Sequence, residues 1–296
     1  MKLATFSVRG QTKLGAIRGE EVVVFDSVDP SLPRSTEALL LAGPDAMAAV
    51  REALDRAPVG VPLADVRLLA PLRHPQKFLG IGFNMVSHVE ELRAKGREVA
   101  VTEDQLWFNK QVSCITGPYD PIHLPKISKL LDYEIELGVV IGQRCRHVDA
   151  ADARKVIAGY LVCNDASVRD WQRIAPALGK SFDTHGPIGP WLTTADEVPD
   201  PQSLWMRTWV DGELRQDGST HEMIHGIDKM IAYLTAIFTL EPGDILCTGN
   251  PAGTGALRTP PQMLEAGQTV RMEIEGLGHI QNPVIDEPLF ETTYIG

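Results

Sequence analysis

Residues 131–142 read Leu-Asp-Tyr-Glu-Ile-Glu-Leu-Gly-Val-Val-Ile-Gly and place two carboxylates inside an otherwise apolar strand pattern. Successive side chains of a β-strand point to opposite faces, so Glu134 and Glu136 lie side by side on one face. A solvated strand face is the ordinary explanation of such a pair. However, the run continues into Val139-Val140-Ile141, which is typical of a buried central strand. Because burying two carboxylates without a partner is costly, the pattern indicates a divalent cation, Mg²⁺ or Mn²⁺, between them.

The composition excludes several classes of partner. The 296 residues include 28 basic and 39 acidic side chains, which give a formal net charge of −11. An acidic protein is not attracted to nucleic acid or to anionic membrane surfaces, so we expect neither as a partner. The four cysteines are widely spaced without a C-x-x-C pair, which is typical of reduced thiols in the cytosol. With no signal-peptide pattern at the N-terminus, we expect a cytoplasmic protein.

The order of strand and helix patterns predicts a β-rich α+β protein of two domains, with a small N-terminal α+β domain at residues 1–68 and a catalytic domain at residues 69–296. Three secondary-structure elements predicted further along the chain test this assignment of strands and helices. A strand hairpin is predicted at residues 205–215 around an Asp-Gly turn. Helices are predicted at residues 149–158, with Asp149 as the cap, and at residues 224–240.

Other polar residues complete a candidate site. Asp165 ends a predicted strand and is either a third ligand of the cation or the start of a turn. His88 and Glu91 are three residues apart, so on a helix they share a face, either as a water-activating pair or as ordinary surface residues. Lys180 lies in a loop rich in Gly and Pro, where a lone lysine is usually solvated.

One motif points to different chemistry. Residues 221–225 read His-Glu-Met-Ile-His, the spacing of a zinc metalloprotease. That motif requires one continuous helix and a third ligand. Here a helix cap at residues 218–220 directly precedes the motif and Gly226 follows it, so we expect no zinc protease.

These segments together resemble the fumarylacetoacetate hydrolase superfamily, in its bacterial two-part form. The resemblance runs in order from about residue 70 to the end. The matching motifs are Gly82-Phe83-Asn84 with His88 and Glu91, Phe108-Asn109-Lys110, residues 132–137, residues 164–172, Gly179-Lys180-Ser181-Phe182-Asp183, residues 186–190, Pro242-Gly243-Asp244 and residues 248–253.

The resemblance implies a mixed β-sandwich roll, a homodimer and a bound Mg²⁺ or Mn²⁺. It implies the metal ligands Glu134, Glu136 and Asp165, and the catalytic residues His88, Glu91 and Lys180. The substrate-binding residues that it implies are Asn84, Lys110, Arg169, Gln172 and Asn250. Relatives usually carry Tyr at the position of Met85, an acidic residue at Ser87 and Thr at Asn250, so these departures bear on the identity of the substrate.

The expected activity is metal-dependent hydrolysis of a C–C bond in an acylpyruvate, a small anionic 2,4-dioxo acid that is fumarylacetoacetate-like or fumarylpyruvate-like. The reaction would release pyruvate or a related 2-oxo acid, in aromatic-compound catabolism. His88 and Glu91 would activate the water, and the cation would stabilise the pyruvate enolate. Two alternatives stay open. One is an oxaloacetate-type decarboxylase, or an isomerase or hydratase of 2-hydroxy-dienoic diacids, on the same site. The other is a metal-dependent binding protein without turnover.

Overall fold

The computed structural model describes residues 1–57 and 59–292, which form strands, helices and 3₁₀ turns. The strands are β1 (Lys2–Val8), β2 (Gln11–Arg18), β3 (Glu21–Val24), β4 (Val61–Pro62), β5 (Arg67–Leu68), β6 (Phe78–Gly82), β7 (Leu106–Lys110), β8 (Ile115–Thr116), β9 (Ile122–Leu124), β10 (Leu131–Asp132), β11 (Ile135–Ile141), β12 (Ile157–Asn164), β13 (Ser167–Val168), β14 (Gly186–Thr194), β15 (Trp205–Val210), β16 (Glu213–Ser219), β17 (Ile245–Cys247), β18 (Thr269–Ile274) and β19 (Gly278–Asp286). The helices are α1 (Phe25–Val28), α2 (Thr36–Ala42), α3 (Pro44–Arg56), α4 (Val86–Ala94), α5 (Arg169–Gln172), α6 (Pro176–Gly179), α7 (Ile227–Ile237) and α8 (Leu289–Thr292). The 3₁₀ turns are Leu63–Asp65, Val112–Cys114, Ala150–Val156, Ala195–Glu197, Thr220–Glu222 and Gly255–Leu257.

The main sheet has the strand order β4-β3-β2-β1-β14-β12-β11-β17-β6-β7, with β5 beside β1 and β8 beside β14. Strand β11 is buried along its whole length because both faces of the sheet are covered there. Strand β1 pairs with β14, with Lys2 opposite Thr193. The N-terminal strands therefore extend the same sheet as the rest of the chain, and the domain boundary at residue 68 stays a prediction.

A second, five-stranded sheet has the order β16-β15-β18-β19-β9 and covers one face of the main sheet. Strand β18 alternates buried and partly exposed side chains, the pattern of a sheet with one face against a core. Its Met272 and Ile274 share a hydrophobic cluster with Leu137 and Val139 of β11. The fold is thus the β-rich α+β arrangement that the sequence predicts, with β11 and its two carboxylates next to the core.

The hairpin predicted at residues 205–215 is confirmed by the pairing of β15 with β16. Its turn residues, Asp211 at φ 50° and Gly212 at φ 82°, adopt the left-handed conformations that a tight hairpin requires. The helix predicted at residues 149–158 is only a 3₁₀ turn, Ala150–Val156, and the Asp149 side chain does not cap it. Residues 157 and 158 join β12 instead, because β12 pairs with strands on both sides.

The helix predicted at residues 224–240 is shorter, Ile227–Ile237, and Gly226 is its N-cap. Upstream of it, the Ser219 side chain and Glu222 form a capping box around the turn Thr220–Glu222. His221 and His225 consequently do not share one continuous helix, as the metalloprotease motif requires.

Two further features concern the chain as a whole. No helix within residues 1–57 and 59–292 combines the length and the apolar character needed to cross a bilayer. The four cysteines, Cys114, Cys145, Cys163 and Cys247, are free and buried.

Candidate metal centre and substrate pocket

Antiparallel pairing of β11 with β12 brings the three predicted metal ligands together. Ile135 lies opposite Asn164, and the backbone N–H of Asp165 donates to the carbonyl of Glu134 at 2.9 Å. One carboxylate oxygen each of Glu134, Glu136 and Asp165 lies within 4.8 Å of the others, and all three residues are buried. Glu134 itself precedes β11, in the connection from β10, so it is not part of the strand as predicted.

The charges of these carboxylates are only partly compensated by the protein. Burial raises the pKa of Glu136, and the nearby carboxylates of Asp165 and Glu134 raise it further, well above its ordinary value. Burial also raises the pKa of Glu134, but Lys180 and Arg169 lower it more strongly, so its net pKa is well below the ordinary range. Three buried carboxylates this close, one of them unfavourable in its charged form, fit an added cation. All-oxygen ligands favour Mg²⁺ or Mn²⁺.

Lys180 lies at the centre of this cluster. Its Nζ donates to Glu134 Oε2 at 2.5 Å, to Ser167 Oγ at 3.0 Å and to Asp165 Oδ2. Burial lowers the pKa of Lys180, but Asp165 and Glu134 raise it by more, so the ammonium stays charged. The side chain therefore compensates the ligands first, and contact with a substrate anion stays a prediction.

The predicted dyad lies on α4, which follows β6 through Phe83, a residue with a positive φ of 57°. His88 Nδ1 and Glu91 Oε2 are 3.9 Å apart, beyond a direct hydrogen bond. Glu91 Oε2 accepts from the backbone N–H of Gly253 at 3.1 Å. His88 Nδ1 is buried and has no hydrogen-bond partner among the described residues, and its ring stacks on Phe83. Nδ1 is thus the buried nitrogen on the side of Glu91, so proton exchange with a molecule in the cavity would fall to Nε2.

A cavity of about 310 Å³ opens over the carboxylate cluster, at the lower end of the range of about 300–1,000 Å³ found for small-molecule sites. Seven of the predicted site residues line it: His88, Glu134, Glu136, Arg169, Gln172, Lys180 and Asn250. Asp165 and Glu91 do not line it. Asp165 forms an ion pair with Lys180, and Glu91 lies 3.9 Å from His88; both Lys180 and His88 line the cavity. The structure therefore brings the predicted metal ligands and the predicted dyad to one pocket.

Two predicted substrate-binding residues lie elsewhere. Lys110 is buried, and its Nζ donates to Asp165 Oδ1 at 2.7 Å and to the carbonyl of His185 at 3.1 Å, so its donors are used inside the protein. The side chain of Asn84 joins the backbone of His225 and the carbonyl of Thr248. Neither residue lines the cavity, so their contact with a substrate stays a prediction: in the structure Lys110 supports a ligand carboxylate and Asn84 connects two loops of the site.

Arg169 lines the cavity, but its guanidinium is largely committed to neighbouring side chains. It contacts Asp132 Oδ2 at 2.7 Å, Glu134 Oε1 at 2.6 Å and Gln172 Oε1 at 2.9 Å. Asp132 in turn accepts from the backbone N–H groups of Gly255 and Ala256 at 2.7 and 2.9 Å. This pair thus holds the loop that forms one wall of the cavity.

The sequence patterns assigned no role to three residues of the site, Asp132, Arg97 and Arg173. Asp132 was visible as an acid inside an apolar strand pattern, which is the same signal that identified Glu134. Arg97 and Arg173 also line the cavity. Arg173 directly follows Gln172 in a matched motif, whereas Arg97 lies in a polar segment after α4 where the sequence offers no distinguishing pattern.

The chain matches known proteins over most of its length. Residues 77–285 match the model of the fumarylacetoacetate (FAA) hydrolase C-terminal domain. The human protein "Oxaloacetate tautomerase FAHD2A, mitochondrial" is 39% identical over 271 residues, which are 90% of this chain and 85% of that protein.

Solved structures agree with this match. The maleylpyruvate hydrolase of Sphingobium sp. SYK-6, in complex with manganese(II) and pyruvate, is 32% identical with a TM-score of 0.80 over 97% of this chain and 100% of that chain. The 5-carboxymethyl-2-hydroxymuconate delta-isomerase of Mycobacterium smegmatis is 32% identical with a TM-score of 0.76 over the same shares. The chain therefore belongs to the fumarylacetoacetate hydrolase family.

Proposed function

We propose that this protein is a divalent-metal-dependent hydrolase that cleaves a C–C bond in 3-acylpyruvates. The single observation that supports it best is that His88, whose Nδ1 lies 3.9 Å from Glu91 Oε2, lines the same cavity of about 310 Å³ as Glu134 and Glu136. A proton acceptor beside a cation site is what attack by water on a carbonyl requires. The maleylpyruvate hydrolase of similar structure, with its manganese and pyruvate, supports the same chemistry.

Glu134, Glu136 and Asp165 would hold the cation, which when bound supplies Lewis-acid stabilisation of negative charge on the 2-oxo oxygen. The residues of the chain supply the proton transfers. His88 removes a proton from water while the water oxygen bonds to the acyl carbonyl carbon, and Glu91, 3.9 Å away, stabilises the imidazolium. The bond between that carbon and C3 then breaks, and its electron pair enters the enol system of the pyruvate half. Return of the proton to C3 gives a carboxylic acid and pyruvate.

The test is turnover of acetylpyruvate by protein stripped of metal and then supplied with Mg²⁺ or Mn²⁺. We expect equal amounts of acetate and pyruvate only when metal is present. The variant His88→Asn should lose about 10²–10⁴-fold in kcat. His74→Asn, an exposed histidine outside the cavity, is the control and should keep full activity. Undiminished turnover by His88→Asn would contradict the role given to the dyad.

A second candidate is keto–enol tautomerisation of oxaloacetate. It is favoured by the 39% identity to the human oxaloacetate tautomerase, which exceeds the identity to the maleylpyruvate hydrolase. On this site His88 would move a proton between C3 and the 2-oxo oxygen without attack by water. Faster decay of the enol form of oxaloacetate, with no acetate from acetylpyruvate, would select the tautomerase.

The other activities expected from the sequence are separated by the same assays. Release of CO₂ from oxaloacetate would select the decarboxylase, and metal-dependent substrate binding without any product would select a binding protein. The expected homodimer stays a proposal, which light scattering on the purified protein tests against the chain mass of 32.4 kDa.

A further inference from the structure

Glu222 lies in the segment at residues 221–225, whose zinc-protease pattern the fold does not support, and it connects that segment to the helix of the proposed dyad. Its Oε1 accepts from the backbone N–H of Ser219 at 3.2 Å, which completes the capping box. Its Oε2 accepts from the backbone N–H of Ser87 at 3.2 Å, 135 residues away in the chain. Ser87 lies in the first turn of α4 and directly precedes His88. The carboxylate therefore bridges its own turn and the start of α4.

The sequence of α4 offers little to stabilise its own first turn. Its N-cap is Met85, an apolar side chain where Ser, Thr, Asp or Asn usually caps a helix, and the first turn contains no acidic residue. The buried residues of this nine-residue helix are Val89 and Leu92. A helix this short is marginal by itself, because most helical stability in proteins comes from the packing of an apolar face. The carboxylate of Glu222 satisfies a backbone donor at the helix start and interacts favourably with the helix dipole.

A second segment contacts the same part of α4. Ser87 Oγ accepts from the backbone N–H of Ala252 at 3.2 Å. Glu91 Oε2 accepts from the backbone N–H of Gly253 at 3.1 Å. The start of α4 is thus attached to two separate segments, and His88 lies between the two attached residues. A shift of α4 would consequently move the imidazole relative to the cavity.

We propose that Glu222 is a positioning residue of the dyad, whose carboxylate holds the start of α4 so that His88 and Glu91 meet beside the cavity. The inference rests on the proposed function, since it concerns proton transfer by His88.

The two kinetic constants should respond differently to the loss of Glu222. A displacement of about 1 Å at a reacting group can cost about 10²-fold in rate. The predicted metal ligands lie within residues 134–165, outside α4, so they keep their positions when α4 shifts. Loss of this carboxylate should therefore lower kcat and leave both KM and the affinity for the metal nearly unchanged.

The first measurement is hydrogen–deuterium exchange of the full-length protein with Mg²⁺, read by mass spectrometry of its peptides. We expect Glu222→Ala to speed exchange across residues 84–94 at least about tenfold, because the helix start opens more often without its acceptor. Glu222→Gln keeps one acceptor oxygen, so its exchange should lie between those of Glu222→Ala and wild type. Exchange across α2, which contacts neither segment attached to α4, should stay unchanged.

The second measurement is turnover of acetylpyruvate by the same variants with Mg²⁺. We expect kcat to fall about 10–100-fold for Glu222→Ala and by less for Glu222→Gln, with KM and Mg²⁺ affinity within about twofold of wild type. Glu37→Ala is the matched control. Glu37 is also partly exposed and its Oε1 accepts from the backbone N–H groups of Arg73 at 2.7 Å and His74 at 3.2 Å, but it does not line the cavity. This control should lower the melting temperature by a similar amount and keep full kcat.

A kcat for Glu222→Ala equal to that of the control, or wild-type exchange across residues 84–94, would overturn the positioning role. A rise in KM or a loss of Mg²⁺ affinity as large as the fall in kcat would also overturn it, because the whole site would then be disturbed. Failure of wild type to turn over acetylpyruvate would refute the proposed hydrolase. The exchange measurement and the decay of enol oxaloacetate, in which His88 would also move the proton, would still decide the role of Glu222.

Discussion

Replacing Asp132 with asparagine should lower the free energy of unfolding substantially, although Asp132 is not one of the groups proposed to react. Asp132 is fully buried and accepts from Arg169, from the backbone N–H of Gly255 and from that of Ala256. An asparagine retains one acceptor oxygen, but its amide group is a donor that faces either the guanidinium or a backbone N–H. The substitution consequently breaks a buried ion pair and leaves buried donors without acceptors.

Breaking one side of a buried ion pair costs about 3–5 kcal/mol of unfolding free energy. Arg169 keeps its contact to Glu134 at 2.6 Å, so we expect the lower end, about 3 kcal/mol. With a urea dependence of about 3 kcal/mol per M, the midpoint of unfolding should fall by about 1 M. The measurement is urea unfolding followed by tryptophan fluorescence and circular dichroism, on metal-free protein.

Asp217→Asn is the matched control for this variant. Asp217 forms an ion pair with Arg207 at 3.0 Å, but both side chains are more than two-fifths exposed, so its loss should cost about 1 kcal/mol or less. A midpoint for Asp132→Asn that lies within the spread of this control would refute the assigned contribution of the buried pair.

Three further outcomes are expected. Glu136→Gln should weaken Mg²⁺ or Mn²⁺ binding at least about tenfold in a calorimetric titration, because it removes one charged ligand. The glutamine carbonyl oxygen can still accept from the backbone N–H of Gly249. Unchanged metal affinity would exclude Glu136 from the metal site. Burial lowers the pKa of His185 to about 3. Below about pH 6.5 the unfolded chain therefore takes up a proton at this residue that the folded protein does not. The free energy of unfolding should consequently fall on acidification by up to about 1.4 kcal/mol per pH unit. In urea unfolding at pH 7 and pH 5, His185→Gln should show a smaller decrease than wild type, and an equal decrease would contradict the assignment. Gly159→Ala should lower the melting temperature by several degrees, because an added Cβ would lie only 2.1 Å from the carbonyl oxygen of Thr193; a melting temperature equal to that of wild type would show that β12 and β14 can separate there.

The sequence by itself determined the local features of the site. Alternation along residues 131–142 indicated that two carboxylates share one face of a buried strand, and Glu134 and Glu136 do converge. Helical spacing put His88 and Glu91 on one face of α4, where their side chains are 3.9 Å apart. The Asp-Gly pair identified the hairpin turn. These features follow from backbone geometry over a few residues, so a pattern in the sequence is enough to predict them.

Only the tertiary structure decided which distant residues meet. Lys110 lies beside Asp165 rather than in the cavity, and Arg97 reaches the same wall as Arg173, although nothing in either local pattern distinguishes these outcomes. Strand β1 likewise joins β14, far away in the chain. Strand register, burial and charge pairing depend on side chains that are remote in sequence. The free energy of each contact also depends on which neighbouring groups the rest of the fold has removed from water.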